Sequence, residues 1–151
     1  MNFEYIRRAC AEDASRIAEI EIFNYRLYFY PIFQSDEFYF DELQVLPAAK
    51  ALAADEEKLG RTYVYDDGAV KGFVRMNADE VEKLFVEPVL HGQHIGEALL
   101  KYVMEEHNAA WLWALEKNTG AIRFYERHGF QCTDIRKLEE DTTEYLVRME
   151  R

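Results

Sequence analysis

The sequence predicts an α/β (α+β) fold, with a mixed, mostly antiparallel central sheet flanked by helices. Three observations lead there. Short runs rich in β-branched and aromatic residues alternate with longer stretches at helical spacing. An Asp67-Gly68 pair joins two strand-like runs, as the turn of a tight hairpin would. The 151 residues, 49% hydrophobic and 15% aromatic, are enough for one folded core without disulfide or metal staples. The expectation is a single domain over 1–151.

Each element follows from its own pattern. FEYIRRA (3–9) reads as a strand. In 11–30, Ile17, Ile20, Phe23 and Leu27 recur at helical spacing after acidic residues that suit a helix start. The next stretch, 35–46, fits neither period. PAAKALAADEEKL (47–59) is rich in helix formers, tolerates its proline in the first turn, and has Gly60 placed to close it. RTYVYDDGAVKGFVRMN (61–77) predicts the hairpin, and DEVEKLFVEP (79–88) a third strand beside it. GQHIGEALLKYVMEEHN (92–108) predicts a helix with Ile95, Leu99, Tyr102 and Val103 on one side. AAWLWAL (109–115) lacks alternation, which predicts a strand buried on both faces. NTGAIRFYERHGF (118–130) predicts a helix with Ile122, Phe124 and Tyr125 inward and Gly129 at its end. QCTDIRKLE (131–139) and TEYLVRME (143–150) close the chain as two strands, giving the order β-α-α-β-β-β-α-β-α-β-β.

Charge narrows the function classes. Twenty-nine acidic residues against 18 basic ones leave a net charge of −11, which argues against nucleic acid as a partner. An acidic surface favours a cationic acceptor over an acidic one. No run of about 18 apolar residues marks a membrane span. MNFEYIRRAC lacks the apolar core of a secretion signal. Cys10 and Cys132 make no metal-type or redox-type spacing. These features predict a cytoplasmic protein with no bound metal and no membrane or nucleic-acid partner.

VLHGQHIGEALL (89–100) places Gly92 and Gly96 where a helix begins. A helix N-terminus offers unpaired N–H groups and the positive end of the helix dipole, so it suits an anion. His91 and His94 can add donors. The pattern fits a plain helix entry with two surface histidines equally well.

Taken together, LFVEPVLHGQHIGEALL (84–100) and EKNTGAIRFYERHGF (116–130) resemble the GNAT superfamily of acetyl-CoA-dependent N-acetyltransferases. The second segment matches at Asn118, Ala121, Phe124-Tyr125 and Gly129-Phe130. The first matches at its Val-x-Pro, at Gly92, at Ile95-Gly96 and at Ala98-Leu99-Leu100. The loop departs from the family's Gln/Arg-x-x-Gly-x-Gly/Ala at its first position, His91, and at its middle glycine, His94.

The resemblance implies direct transfer of acetyl from acetyl-CoA to a primary amine. It implies that the backbone N–H groups of Gly92, Gln93, His94, Ile95, Gly96 and Glu97 bind the coenzyme A pyrophosphate. The backbone of Leu84, Phe85 and Val86 would pair with the pantetheine arm and polarise the thioester. Asn118 would hydrogen-bond that arm, and it also suits a helix N-cap. Tyr125 would protonate the leaving thiolate, although its spacing also fits a core aromatic. Glu80 and Glu82 lie two apart, hence on one strand face, and are the candidate bases; a solvated face is the other reading. Where some relatives carry a glutamate on the next strand this chain has Trp113, with Glu116 a distant substitute. Arg123 and Arg127 read as cofactor phosphate contacts or as ordinary surface charges.

Residues 23–40 hold nine of the 22 aromatic side chains, too many to ignore as scatter. They read as an acceptor pocket with Asp36 and Glu37 beside it, or as core and homodimer contact. The expected acceptor is a small-molecule amine or a protein amino group. The rival from another class is a CoA-binding regulatory or vestigial domain without significant catalysis.

Overall fold

The computed structural model describes residues 3–151; Met1 and Asn2 lie outside the described residues. Seven strands form one sheet: β1 (Ile6–Arg8), β2 (Thr62–Asp66), β3 (Val70–Asn77), β4 (Glu80–Val86), β5 (Trp111–Leu115), β6 (Gln131–Leu138) and β7 (Tyr145–Glu150). Their order across the sheet is β1-β2-β3-β4-β5-β7-β6. Every neighbouring pair is antiparallel except β4 and β5. The mixed, mostly antiparallel sheet expected from the sequence is present.

Helices cover both faces. On one side α5 (Ile95–Glu106) and α6 (Thr119–Arg127) pack on the sheet. There Leu99, Leu100 and Val103 meet Val74, Met76, Leu112, Phe130 and Met149. On the other side lie α1 (Ala14–Asn24), α3 (Val45–Ala53) and α4 (Glu56–Gly60), with Ile17, Ile20, Leu52 and Leu59 against Val64 and Phe73. Each aliphatic side chain buried this way contributes about 1.5–3 kcal/mol. No helix among the described residues is long and apolar enough to cross a membrane.

Several boundaries differ from the sequence reading, for local reasons. The first strand keeps only three residues. The predicted helix at 47–59 starts earlier, at Val45, and splits at Asp55. The Asp55 side chain accepts from the Lys58 N–H at 3.0 Å, capping α4 rather than continuing α3. Gly60 is not a left-handed cap; it ends α4 without a positive φ. The strand at 109–115 is not buried on both faces. Leu112 and Ala114 are buried while Trp111 and Trp113 are half-exposed under Arg148 and Lys137. The hairpin turns at Asp67-Gly68, where Gly68 has φ +121°.

The ambiguous stretch after α1 is helical but irregular. α1 runs into a π-helical turn at Tyr25–Phe29, then into the short α2 (Tyr30–Phe33). Pro31 cannot donate to a carbonyl four residues back, so a regular α-helix cannot pass through it, and the wide turn absorbs the mismatch. A second π-helical turn spans Glu37–Glu42.

Candidate active site

The parallel strands β4 and β5 meet at one register pair, Glu80 with Trp111. Beyond it they part, so β4 has a ladder partner only on its β3 side. A β-bulge sharpens the bend: Arg75 faces Lys83 and Met76 faces Val81, which leaves Glu82 unpaired.

The register with β3 identifies the backbone groups that face the gap. The Glu87 N–H bonds the Lys71 carbonyl at 2.9 Å, flanking the Gly72–Val86 pair. That makes Phe73–Phe85 the hydrogen-bonded pair of the ladder. Leu84 and Val86 therefore turn their N–H and C=O groups into the gap. The expectation for Phe85 is corrected: its backbone is spent on Phe73, and its ring packs against Tyr25 at 5.4 Å and Phe73 at 5.9 Å. The Val86 carbonyl is also engaged, accepting from Asn24 Nδ2 and from His91 Nε2, each at 2.9 Å. The Leu84 N–H and C=O and the Val86 N–H remain.

At the end of β4 the chain makes a tight turn over Pro88–Leu90 and enters the loop before α5. Gly92 has φ +85° and His94 φ +67°. His94 thus keeps the left-handed backbone that glycine adopts without strain, at a cost of about 1–2 kcal/mol. None of the six N–H groups from Gly92 to Glu97 has a backbone or side-chain acceptor among the described residues; the first bonded one is Ala98, to His94 O at 3.0 Å. These unpaired donors sit at the positive end of a 12-residue helix, which suits a pyrophosphate.

The two histidines have different duties. His94 is exposed, with Nδ1 at 2.9 Å from Glu97 Oε2. Glu97 also receives Lys101 at 2.8 Å. Lys101 first, then His94, hold the Glu97 carboxyl down to about 2. His91 turns away from the loop. Its ring stacks on Tyr28 with centroids 5.5 Å apart, and Nδ1 lies 3.0 Å from Tyr28 Oη. With Nε2 donating to Val86, Nδ1 accepts from the phenol, which fixes the tautomer. His91 thus fastens the end of β4 to the π-helical turn after α1.

Tyr125 lies on α6, with its ring against Phe124 at 5.3 Å and Phe130 at 5.8 Å. Its hydroxyl makes no hydrogen bond among the described residues. Burial pushes the phenol well above its ordinary range, so it stays protonated at neutral pH. Asn118 caps α6: its Oδ1 accepts from the Ala121 N–H at 3.3 Å. Its Nδ2 has no partner among the described residues, so capping leaves a donor over.

The two candidate bases are unequal. Glu82 is held by Arg61, Nη1 to Oε2 at 2.9 Å. Glu80 makes no ion pair within contact distance among the described residues. Burial, and then the Glu82 charge, raise its carboxyl above the ordinary value, while Lys137 and Arg148 oppose the shift. Glu116 is committed to Arg136 through both carboxylate oxygens. Trp113 lies under Lys137 at 4.4 Å. Arg127 stands over Phe124 at 5.9 Å.

The aromatic segment 23–40 divides between the two readings. Tyr25 and Phe29 stack at 5.0 Å and pack toward Phe85. Phe23, Leu27 and Phe40 are exposed around an open groove with Pro88 and Val89. Asp36 is engaged by Tyr30 Oη at 2.6 Å.

Sequence reasoning missed Asn24. It is fully buried and bonds both Ile20 O and Val86 O. A polar residue on the apolar stripe of α1 was the available signal.

Comparison with known proteins bears on the same elements. The Acetyltransferase (GNAT) domain family matches residues 58–132, from the end of α4 into β6. The peptidyl-lysine N-acetyltransferase YiaC of Escherichia coli is 37% identical over 70 residues, 46% of this chain and 48% of that protein. The peptidyl-lysine N-acetyltransferase YjaB of Salmonella typhimurium is 27% identical over 77 residues, 51% of this chain and 53% of that protein. The chain spans about half the length of these curated relatives. The crystal structure of the PaiA N-acetyltransferase of Thermoplasma acidophilum with coenzyme A shares the fold. Its TM-score is 0.72 at 18% identity, covering 97% of this chain and 98% of that one.

Proposed function

The chain belongs to the GNAT superfamily, and from that premise we propose that residues 1–151 form one N-acetyltransferase domain that moves acetyl from acetyl-CoA to a lysine-type amino group of a protein. The observation that carries the reading is the pairing of six unbonded N–H groups at α5 with the gap beside β4. The residues present fit the coenzyme. The loop from Gly92 to Glu97 binds its pyrophosphate, and Leu84 with the Val86 N–H pairs with the pantetheine arm, as an added strand would. Asn118 Nδ2 supplies one more donor to the arm. The names of the two peptidyl-lysine relatives support a protein amino group as acceptor, and the net charge of −11 suits a cation.

An amine arrives as ammonium and attacks only after losing a proton. Glu80 takes that proton, directly or through water. The nitrogen then attacks the thioester carbonyl and the C–N bond forms. Tyr125 donates to the sulfur as it leaves; as the C–S bond breaks, the nitrogen sheds its second proton to water, and water returns a proton to the Tyr125 oxygen. The reaction needs the two residues in opposite states, Glu80 ionised and Tyr125 protonated.

The first experiment is acetyl-CoA turnover with lysine-containing peptides and, alongside, free small amines. Turnover with peptides supports the reading. Coenzyme binding without turnover on any amine would favour the regulatory or vestigial domain. Gln93→Glu tests the loop: it adds a carboxylate at an exposed site among the free N–H groups. Like charges about 4 Å apart cost roughly 1–4 kcal/mol, so titration calorimetry should show coenzyme A binding weakened at least about fivefold, with the melting temperature unchanged. Unchanged affinity would mean that the pyrophosphate binds elsewhere.

A further inference from the structure

The opposite layer of the molecule, under α1 and α3, holds a cavity of about 220 Å³. That is several times the roughly 30 Å³ share of a water molecule in the liquid. Its lining is apolar at Ile17, Ala48 and Leu52 and cationic at Arg75, Lys83 and Lys58. The coenzyme loop opens α5, on the other face of the sheet, so none of the roles assigned above draws on this space.

Arg75 is the unexplained group. It is 3% exposed. Its Nε donates to Thr62 Oγ1 at 2.9 Å. Neither Nη atom has an acceptor within hydrogen-bond distance among the described residues, and Glu21 Oε1 stands 3.9 Å from Nη1. Glu21 is committed elsewhere: Lys83 Nζ lies 2.6 Å from that oxygen and 2.6 Å from Tyr25 Oη. Asp55 is committed to the Lys58 N–H at 3.0 Å. Three cations therefore line the cavity against two carboxylates, one positive charge in excess, in a chain of net charge −11. The unpaired Nη donors reach the cavity space, since no side-chain nitrogen or oxygen among the described residues is fully buried without a partner, and the desolvation of the guanidinium is felt as a lowered Arg75 pKa.

We propose that this cavity binds a small monocarboxylate, with its head on the Arg75 guanidinium and a short apolar chain against Ile17, Ala48 and Leu52. The guanidinium fork matches the two oxygens of a carboxylate. A monoanion cancels the single excess charge. A phosphate dianion would overshoot it beside Glu21 and Asp55, and would leave the apolar lining uncovered. The occupied site also bears on β4, because Lys83 and Phe85 follow the bulge on the same strand face.

The test is calorimetric titration of the full chain with sodium butyrate at constant ionic strength. Saturable binding is expected in the millimolar range. Two rim variants carry the test, since Arg75 also ties Thr62 within the sheet. Lys58→Gln removes one cation from the half-exposed mouth, and affinity should fall about tenfold. Ala51→Leu places a larger side chain at an exposed position of α3 that lines the cavity, and binding should be lost. Both variants should keep the wild-type melting temperature and coenzyme A affinity. No saturable binding at millimolar butyrate would overturn the proposal, as would equal binding by the rim variants. Tighter binding of inorganic phosphate than of butyrate would overturn the carboxylate assignment.

Discussion

Tyr125→Phe should lower acetyl-CoA turnover about 10²-fold while leaving coenzyme affinity and stability almost unchanged. That factor is about 2.7 kcal/mol of lost barrier lowering. The substitution removes one oxygen. The ring contacts with Phe124 and Phe130 survive, and the hydroxyl has no hydrogen bond in the protein to lose. A purely structural tyrosine would spare turnover as well as stability, because the ring contacts are what it would supply and the substitution keeps them. The raised phenol pKa also shapes the role. A free thiol titrates near 8.5, so full transfer from this phenol to a water-exposed thiolate would run uphill. Apolar surroundings raise the basicity of the thiolate as well, which keeps donor and acceptor matched as the C–S bond breaks. Turnover in Tyr125→Phe equal to wild type, measured with saturating peptide, would remove Tyr125 from the mechanism.

Much of this site is local, and local features are legible in a sequence. The loop from Gly92 to Glu97 and the Asn118–Tyr125 pair each lie within one turn-helix unit, so spacing carries them. The long-range features are not legible in that way. The bulge at Glu82 arises from the register of two strands, and EVEKLFV reads as a regular strand whether or not it bulges. The same holds for Leu84, Phe85 and Val86, whose side chains say nothing about which backbone groups face the gap. His91 is the clearest case. Beside Gly92 it looks like a phosphate donor, yet its partners are Tyr28 and Val86, brought to it by the fold. The split of α3 from α4 was a matter of competing local signals: the helix formers of 47–59 outnumber Asp55, but one capped N–H decides the break. The half-exposed Trp111 and Trp113 misled because an apolar run without alternation reads as buried on both faces, whereas their rings are covered by Arg148 and Lys137.

Glu80→Gln should abolish the acid-side limb of the pH–rate profile and lower the plateau by about 10²-fold. A general base works ionised, so kcat/KM should rise with pH through the Glu80 pKa and then level. Burial and the neighbouring Glu82 charge place that limb above the ordinary carboxylate range. Glu82→Gln provides the matching control. It removes a negative charge that holds the Glu80 pKa up, so the limb should move to lower pH while the plateau stays. If Glu82 were the base, the two variants would exchange behaviour: Glu82→Gln would lose the limb and Glu80→Gln would only shift it. The Arg61 ion pair argues against that exchange, since the guanidinium occupies Glu82 Oε2 at 2.9 Å and leaves that oxygen unavailable to an incoming amine. Limbs retained in both variants would assign the proton to water and the amine's own equilibrium, and the strand pair β4–β5 would then serve only to hold the coenzyme.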